Sequence, residues 1–318
     1  MSRSTLPVCA AAPTEATSAV HPTPRSQIVR HAIALLRMSR PLMLAAGVLV
    51  YALGVSMGAH AAGEIDWATC TTGLITLLAA NLCAHFADEY ADRDTDALSR
   101  HTWFSGGSGV LSSGLVAPAF ALRAALSAAA CALLASAVFA LLGWLTPAAL
   151  AIIWLGLAGG WNYSMPPFAL ERRGWGEVTN AMLGALLIPL LGFTTQVGTP
   201  TLEAVLALTP VFSITMVNLL GVHWADRRAD AAVGKRTLAV ILGERALHLH
   251  RALVALTYGL TWLLAGAVLP LSVVIAITLT LPISLWATAT FTRRERDGTS
   301  SIAMAALMVA ACVGWRLA

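Results

Sequence analysis

Beyond residue 40 the chain is a succession of long apolar runs broken by short polar stretches. Nine of these runs approach or exceed the roughly 20 residues that a helix needs to cross a bilayer. They cover 41–60, 67–88, 117–143, 146–163, 177–197, 202–225, 246–268, 270–291 and 299–316. The pattern predicts an all-α polytopic membrane protein with nine transmembrane helices. The fourth run is short and carries Gly156, Gly159 and Gly160, which suits close helix packing or a broken end. Residues 27–40 predict a short basic amphipathic helix on the membrane surface, with Arg30, Arg37 and Arg40 at the headgroups. Residues 1–26 are rich in Ser, Thr, Pro and Ala and lack the apolar core of a secretory signal, so they read as a disordered tail. The expected organisation is therefore that tail followed by one transmembrane domain over 27–318.

Composition explains why the pattern takes this form. Only 11% of residues are charged and 58% are hydrophobic, whereas an ordinary soluble domain is about 25% charged. So little charge excludes a soluble enzyme, a disordered chain and a basic-patch nucleic-acid binder, leaving the lipid bilayer as the expected surrounding. The cysteines Cys9, Cys70, Cys83, Cys131 and Cys312 form no C-x-x-C pair and no zinc spacing.

The net charge of +4 matters less than where its residues fall. With the N-terminus in the cytoplasm, the inner loops carry Arg93, Arg100, Arg172, Arg173, Arg227, Arg228, Lys235, Arg236, Arg245, Arg293, Arg294 and Arg296. Arg123 and Arg251 lie near the inner ends of their runs, and only Arg316 falls outside. The outer loops carry no Lys or Arg. This split predicts a cytoplasmic-membrane protein with its N-terminus inside, and a miscount of one span would scramble it.

Two run ends repeat. His85-Phe86-Ala87-Asp88-Glu89-Tyr90-Ala91-Asp92 and His223-Trp224-Ala225-Asp226-Arg227-Arg228-Ala229-Asp230 share H-aromatic-A-D-x-x-A-D at an offset of 138 residues. The offset spans four helices, so both copies point the same way, as in a parallel duplication of four-helix halves with one helix left over. Asp88, Asp92 and Asp96 fall at i, i+4 and i+8, on one face of a continuing helix, and Asp226 and Asp230 do the same in the second copy. Stacked carboxylates repel one another. They persist cheaply where a cation sits between them, and paired hard oxygens suit Mg²⁺ completing its shell with substrate phosphates. Asp94 alone reads as a solvated loop charge. His85 and His223 read either as contacts to a substrate or as helix-end histidines bonded to their neighbours.

These motifs resemble the UbiA family of intramembrane aromatic prenyltransferases, over almost the whole chain after the tail. The family pattern has an N-D-x-x-D-x-x-x-D motif after helix two and a D-x-x-x-D motif after helix six. Here the first reads Asp88-Glu89-x-x-Asp92-x-x-x-Asp96 and the second Asp226-x-x-x-Asp230. Arg40-Pro41, the loop Ser105-Gly106-Gly107-Ser108-Gly109-Val110-Leu111, the run Asn162-Tyr163-Ser164-Met165-Pro166-Pro167 with Gly174 and Gly176-Glu177, and Gly234-Lys235-Arg236-Thr237-Leu238 also match. The last stretch is most similar to the 1,4-dihydroxy-2-naphthoate polyprenyltransferase branch. There are departures: Asp88 replaces the leading Asn, Glu89 replaces an Asp, His223 stands where relatives often carry Asn, and Glu171 stands where a Lys is common.

The resemblance implies a Mg²⁺-dependent transferase that moves a polyprenyl group from its diphosphate to an aromatic quinone precursor. Asp88, Asp92, Asp226 and Asp230 would hold the metals, with Glu89 and Asp96 assisting. Lys235, Arg172 and Arg173 either add charge to the leaving diphosphate or are ordinary inner-loop cations. Arg40 is suited to an acidic acceptor. Tyr163 either lines the donor pocket or belongs to an interfacial aromatic belt. The loop 105–109 is expected to be a mobile cap or a plain connection, and Arg100 is a weaker candidate than Arg40. A cyclase using the same metals without an acceptor is the alternative. A secondary transporter fits less well, because its coupling acids usually lie near the bilayer midplane.

Overall fold

The computed structural model describes residues 24–98, 107–293 and 298–318. Among these the chain is helices and connections, with one isolated bridge between Ala265 and Leu269. The long helices are α1 Pro24–Met38, α2 Pro41–Ala62, α3 Trp67–Ala91, α4 Pro118–Leu141, α5 Pro147–Ser164, α6 Gly176–Val197, α7 Leu202–Ala232, α8 Ala246–Leu263, α9 Leu271–Thr290 and α10 Thr299–Arg316. Seven of them, α2, α3, α4, α6, α7, α9 and α10, are long and apolar enough to cross a membrane. Helices α5 and α8 stand where the fourth and seventh runs predicted them, each with 18 residues. Helix α1 begins at Pro24, three residues earlier than the sequence reading placed it; the rest of the expected tail lies outside the described residues.

Local chemistry sets the helix starts. Pro occupies the first turn of α2, α4 and α5, where its missing N–H costs nothing. Asp66 caps α3, its Oδ1 accepting the N–H groups of Ala68 and Thr69 at 2.9 and 3.2 Å. Thr146 caps α5 and Thr201 caps α7, each through its Oγ1 at 3.2 Å. Inside α6, Met182–Leu187 winds as a π-helix just ahead of Pro189, a ring that cannot donate to the helical ladder.

The largest apolar core joins α2, α6, α7, α9 and α10, and a smaller one packs Ala34 and Met38 of α1 against Phe86 and Ala87 of α3 and Ala121 and Ala125 of α4. Helix α4 leaves Leu126, Leu133, Leu134, Val138 and Leu141 exposed, a face suited to lipid. Two of the three glycines of α5 serve packing: a Cβ on Gly160 would come 3.1 Å from Ala84 of α3 and one on Gly159 2.6 Å from Leu183 of α6, while Gly156 meets nothing within 4 Å. The C-terminal ends of α3 and α7, which carry the repeated motifs, open onto the same cavity.

Candidate metal and diphosphate site

That cavity has a volume of about 1080 Å³. Asp88, Asp92, Asp96, Asp226 and Asp230 all line its polar end, with Arg40, Tyr163 and Lys235. Its other walls are mostly apolar, including Leu77 of α3, Ile153 of α5, Leu187 and Leu191 of α6 and Met308 of α10, with Asn81, Asn180 and Asn218 among them. Helix α3 stops at Ala91, yet the turn continues: Asp92 donates its N–H to Asp88 and Asp96 donates to Asp92, both at 2.8 Å. The first three acids therefore stay stacked on successive turns, as their spacing requires.

Three carboxylates meet most closely. Single oxygens of Asp88, Asp92 and Glu171 lie within 4.8 Å of one another. Glu171 is 1% exposed, on a short helical turn Leu170–Arg173 between α5 and α6. Lys235 stands between two of these acids, its Nζ 2.6 Å from Asp92 Oδ2 and 2.8 Å from Glu171 Oε2. Burial opposes charge on Lys235, but Glu171 and then Asp92 outweigh it and hold the ammonium well above its ordinary range. Glu171 is itself pushed up, by burial and by the adjacent Asp92, because one ammonium must serve two carboxylates. Asp92 Oδ1 and Glu171 Oε1 are buried without a hydrogen-bond partner, Asp92 Oδ1 having only Arg172 Nη2 at 3.8 Å. Orphaned buried acceptors of this kind fit a hard cation.

The other expected site residues divide. Arg40, left-handed at φ 48° ahead of Pro41, reaches Asp88 Oδ2 at 2.8 Å and Glu89 Oε2 at 3.2 Å. Burial opposes its charge, and Asp88 followed by Glu89 overcomes that. Its Nε–H is buried without a partner. Glu89 departs from the expected ligand role: it does not line the cavity, and both its oxygens are taken by Ser108 and Arg40. Arg172 donates to the Ala91 carbonyl at 3.2 Å beside Asp92. Arg173 is exposed, donates to the Pro167 carbonyl at 2.8 Å and does not line the cavity. Of the loop 105–109, Gly107 and Ser108 line the cavity, while 105 and 106 lie outside the described residues, as does Arg100. Asp96 is raised to about 8, first by burial and further by Asp92 and Asp88, although Arg40 pulls it down.

Glu171, Ser164 and Glu177 were not read as site residues from the sequence. Ser164 donates to Asp88 Oδ1 at 2.8 Å, and Glu177 holds His223. The available signals were the Glu at a position where Lys is common and the Gly176-Glu177 match.

The sequence profile of the UbiA prenyltransferase family matches residues 47–311. No curated protein matches the chain. Among solved structures, a digeranylgeranylglyceryl phosphate synthase superposes with a TM-score of 0.65 at 15% identity, covering 91% of this chain and 99% of the other. A UbiA homolog from Archaeoglobus fulgidus bound to DMAPP and Mg²⁺ gives 0.63 at 19% identity, covering 89% and 99%. An apo UbiA homolog from Aeropyrum pernix K1 gives 0.65 at 16% identity, covering 84% and 96%. Profile and fold agree with the paired acidic helix ends, and the chain belongs to the UbiA prenyltransferase family.

Proposed function

We propose that the chain transfers a polyprenyl group from a prenyl diphosphate to an aromatic quinone precursor of the dihydroxynaphthoate type, with Mg²⁺, inside the cytoplasmic membrane. One observation carries the reading: acidic ends of two repeated helices, with buried acceptors lacking partners, close one end of a mostly apolar cavity. The relatives that bind DMAPP or GPP with Mg²⁺ support the donor and the metal. We also take the nine helices α2–α10 as nine crossings, with the acidic ends facing the cytoplasm.

In this reading Asp88, Asp92, Asp226 and Asp230 hold the metal ions, with Asp96 and Glu171 beside them. Bound Mg²⁺ supplies charge neutralisation to the departing diphosphate. Lys235 and Arg172 add fixed positive charge at the same end. Arg40 and Ser164 orient Asp88, and Glu89 ties the motif to Ser108, which steadies the loop over the polar end. The unpartnered Arg40 Nε–H is a donor left for an acidic acceptor. The isoprenoid tail lies along the apolar walls, out of water, which also protects the allylic cation that forms as the C–O bond breaks.

The test uses purified protein in lipid with Mg²⁺, labelled geranylgeranyl diphosphate and 1,4-dihydroxy-2-naphthoate. Diphosphate release that requires the naphthoate, with a prenylated product, is expected. A hydrocarbon product without acceptor would make it a cyclase, and no release with any prenyl donor would end both readings. Asp92→Ala and Asp230→Ala should abolish turnover in protein that still inserts.

A further inference from the structure

One histidine of the cavity wall is backed by a buried carboxylate. His223 sits on α7 one turn before Asp226 and lines the cavity. Its Nδ1 lies 2.8 Å from Glu177 Oε1. Glu177, at the start of α6, is fully buried, and the same oxygen accepts the Leu238 N–H at 2.6 Å. A carboxylate oxygen can only accept, so it fixes the proton on Nδ1 and leaves the Nε2 lone pair as the imidazole's free base. It also stabilises the imidazolium once Nε2 takes a proton, as an orienting carboxylate does beside a catalytic histidine.

The internal repeat supplies a comparison within the same molecule. His85 holds the equivalent place one turn before Asp88 and also lines the cavity. Its Nδ1 faces the Ser39 carbonyl at 2.8 Å. A carbonyl fixes the same tautomer but contributes no charge to an imidazolium. Of two histidines related by duplication, one is backed by a buried carboxylate and the other by a neutral acceptor. The charged groups around His223 are Glu177 from α6, Lys235 from the connection after α7, and Asp226 and Asp230 on its own helix.

We propose that His223, oriented by Glu177, is the general base that takes the acceptor's proton; this rests on the aromatic-acceptor reading above. The ring π pair forms the bond to the allylic carbon. The allylic C–O bond breaks with its pair leaving on the diphosphate. Where the attacked ring carbon carries hydrogen, as in 4-hydroxybenzoate, its proton passes to His223 Nε2, restoring aromaticity. Glu177 is the positioning residue.

The test compares the wild type with His223→Asn, His223→Gln, Glu177→Gln and His85→Asn in lipid nanodiscs. The mixture holds Mg²⁺, geranylgeranyl diphosphate and either 4-hydroxybenzoate or 1,4-dihydroxy-2-naphthoate, each with ring hydrogen or ring deuterium. Both His223 variants should lose on the order of 10²–10⁴-fold in kcat, the usual worth of a general base, with the donor KM unchanged. Proton removal then limits the rate, so a primary isotope effect on ring deuterium should appear in them and not in the wild type or His85→Asn. Glu177→Gln should show a smaller loss of the same kind and a shifted acid limb in the kcat–pH profile. Full kcat in the His223 variants, or a loss confined to donor KM with no isotope effect, overturns the base while leaving prenyl transfer standing. A wild type that prenylates neither acceptor overturns the acceptor reading and the base with it. Unchanged melting temperature and donor binding in His223→Gln separate the chemical loss from misfolding.

Discussion

Lys235 lies between two buried acids and makes the polar end of the cavity tolerable without metal. Removing one partner of a buried ion pair typically costs about 3–5 kcal/mol, because the other charge stays buried and uncompensated. Lys235→Met should therefore lower the melting temperature strongly in chelator, and added Mg²⁺ should restore much of it by taking over the neutralisation. A melt of the variant insensitive to Mg²⁺ would show that the metal binds elsewhere. Asp96 gives a pH dependence of defined sign. Its carboxyl is raised from the ordinary 3.8 to about 8, so between these values the folded protein holds a proton that the unfolded chain does not. The stability this contributes is complete below about pH 4 and is lost as pH rises through 8. In chelator, Asp96→Asn should melt like the wild type at pH 4 and above it at pH 9, and equal melting at both would remove the effect. The five motif aspartates were legible at this scale because spacing and repetition both pointed to them. Glu171 was not, because a residue is drawn into a site by the loop that carries it, and no periodicity governs Leu170–Arg173.

Helices α2 and α6 approach closely enough that side chains are excluded between them. A Cβ on Gly54 would land on the Pro189 carbonyl, and one on Gly192 on the Tyr51 carbonyl. Both obstacles are backbone and cannot swing aside. Gly54→Ala should therefore cost about 1–3 kcal/mol, the usual penalty of overpacking, read as a lower melting temperature in detergent. Gly259 of α8 meets nothing within 4 Å, so the same substitution there should stabilise by up to about 1 kcal/mol through helix propensity. Equal effects at the two glycines would refute this packing account. Element positions were readable because hydropathy reports length directly, and a helix stands at each of the nine apolar runs. Their internal irregularities were not readable. The π-turns of Met182–Leu187 and the break at Leu208 are marked in the sequence by Pro189 and Pro210, but a proline is tolerated in a membrane helix and does not say which distortion accompanies it.

The orientation of the whole molecule rests on its Lys and Arg, and the number of crossings rests on α5 and α8. Hydropathy alone is least decisive for these two helices, since α5 ends in the polar run Asn162, Tyr163 and Ser164 and α8 begins with His248, His250 and Arg251. Of these, Tyr163 lines the cavity and Ser164 donates to Asp88, whereas His250 is buried against Phe291 and Ser300. Nine crossings and seven both leave the termini on opposite sides, so labelling the ends cannot separate them. Positions flanking each doubtful helix can. In protein stripped of its five cysteines, Leu142→Cys and Phe168→Cys bracket α5, and Glu244→Cys and Ala267→Cys bracket α8; all four positions are exposed. With nine crossings and the N-terminus inside, an impermeant maleimide added to intact cells should label positions 142 and 267 at once, and 168 and 244 only after permeabilisation. Labelling of 142 together with 168 would take α5 out of the membrane, and labelling of 244 together with 267 would do the same for α8. The reverse pattern at all four would put the acidic helix ends outside. Only the first pattern puts the acidic ends of α3 and α7 on the cytoplasmic side with nine helices across the membrane.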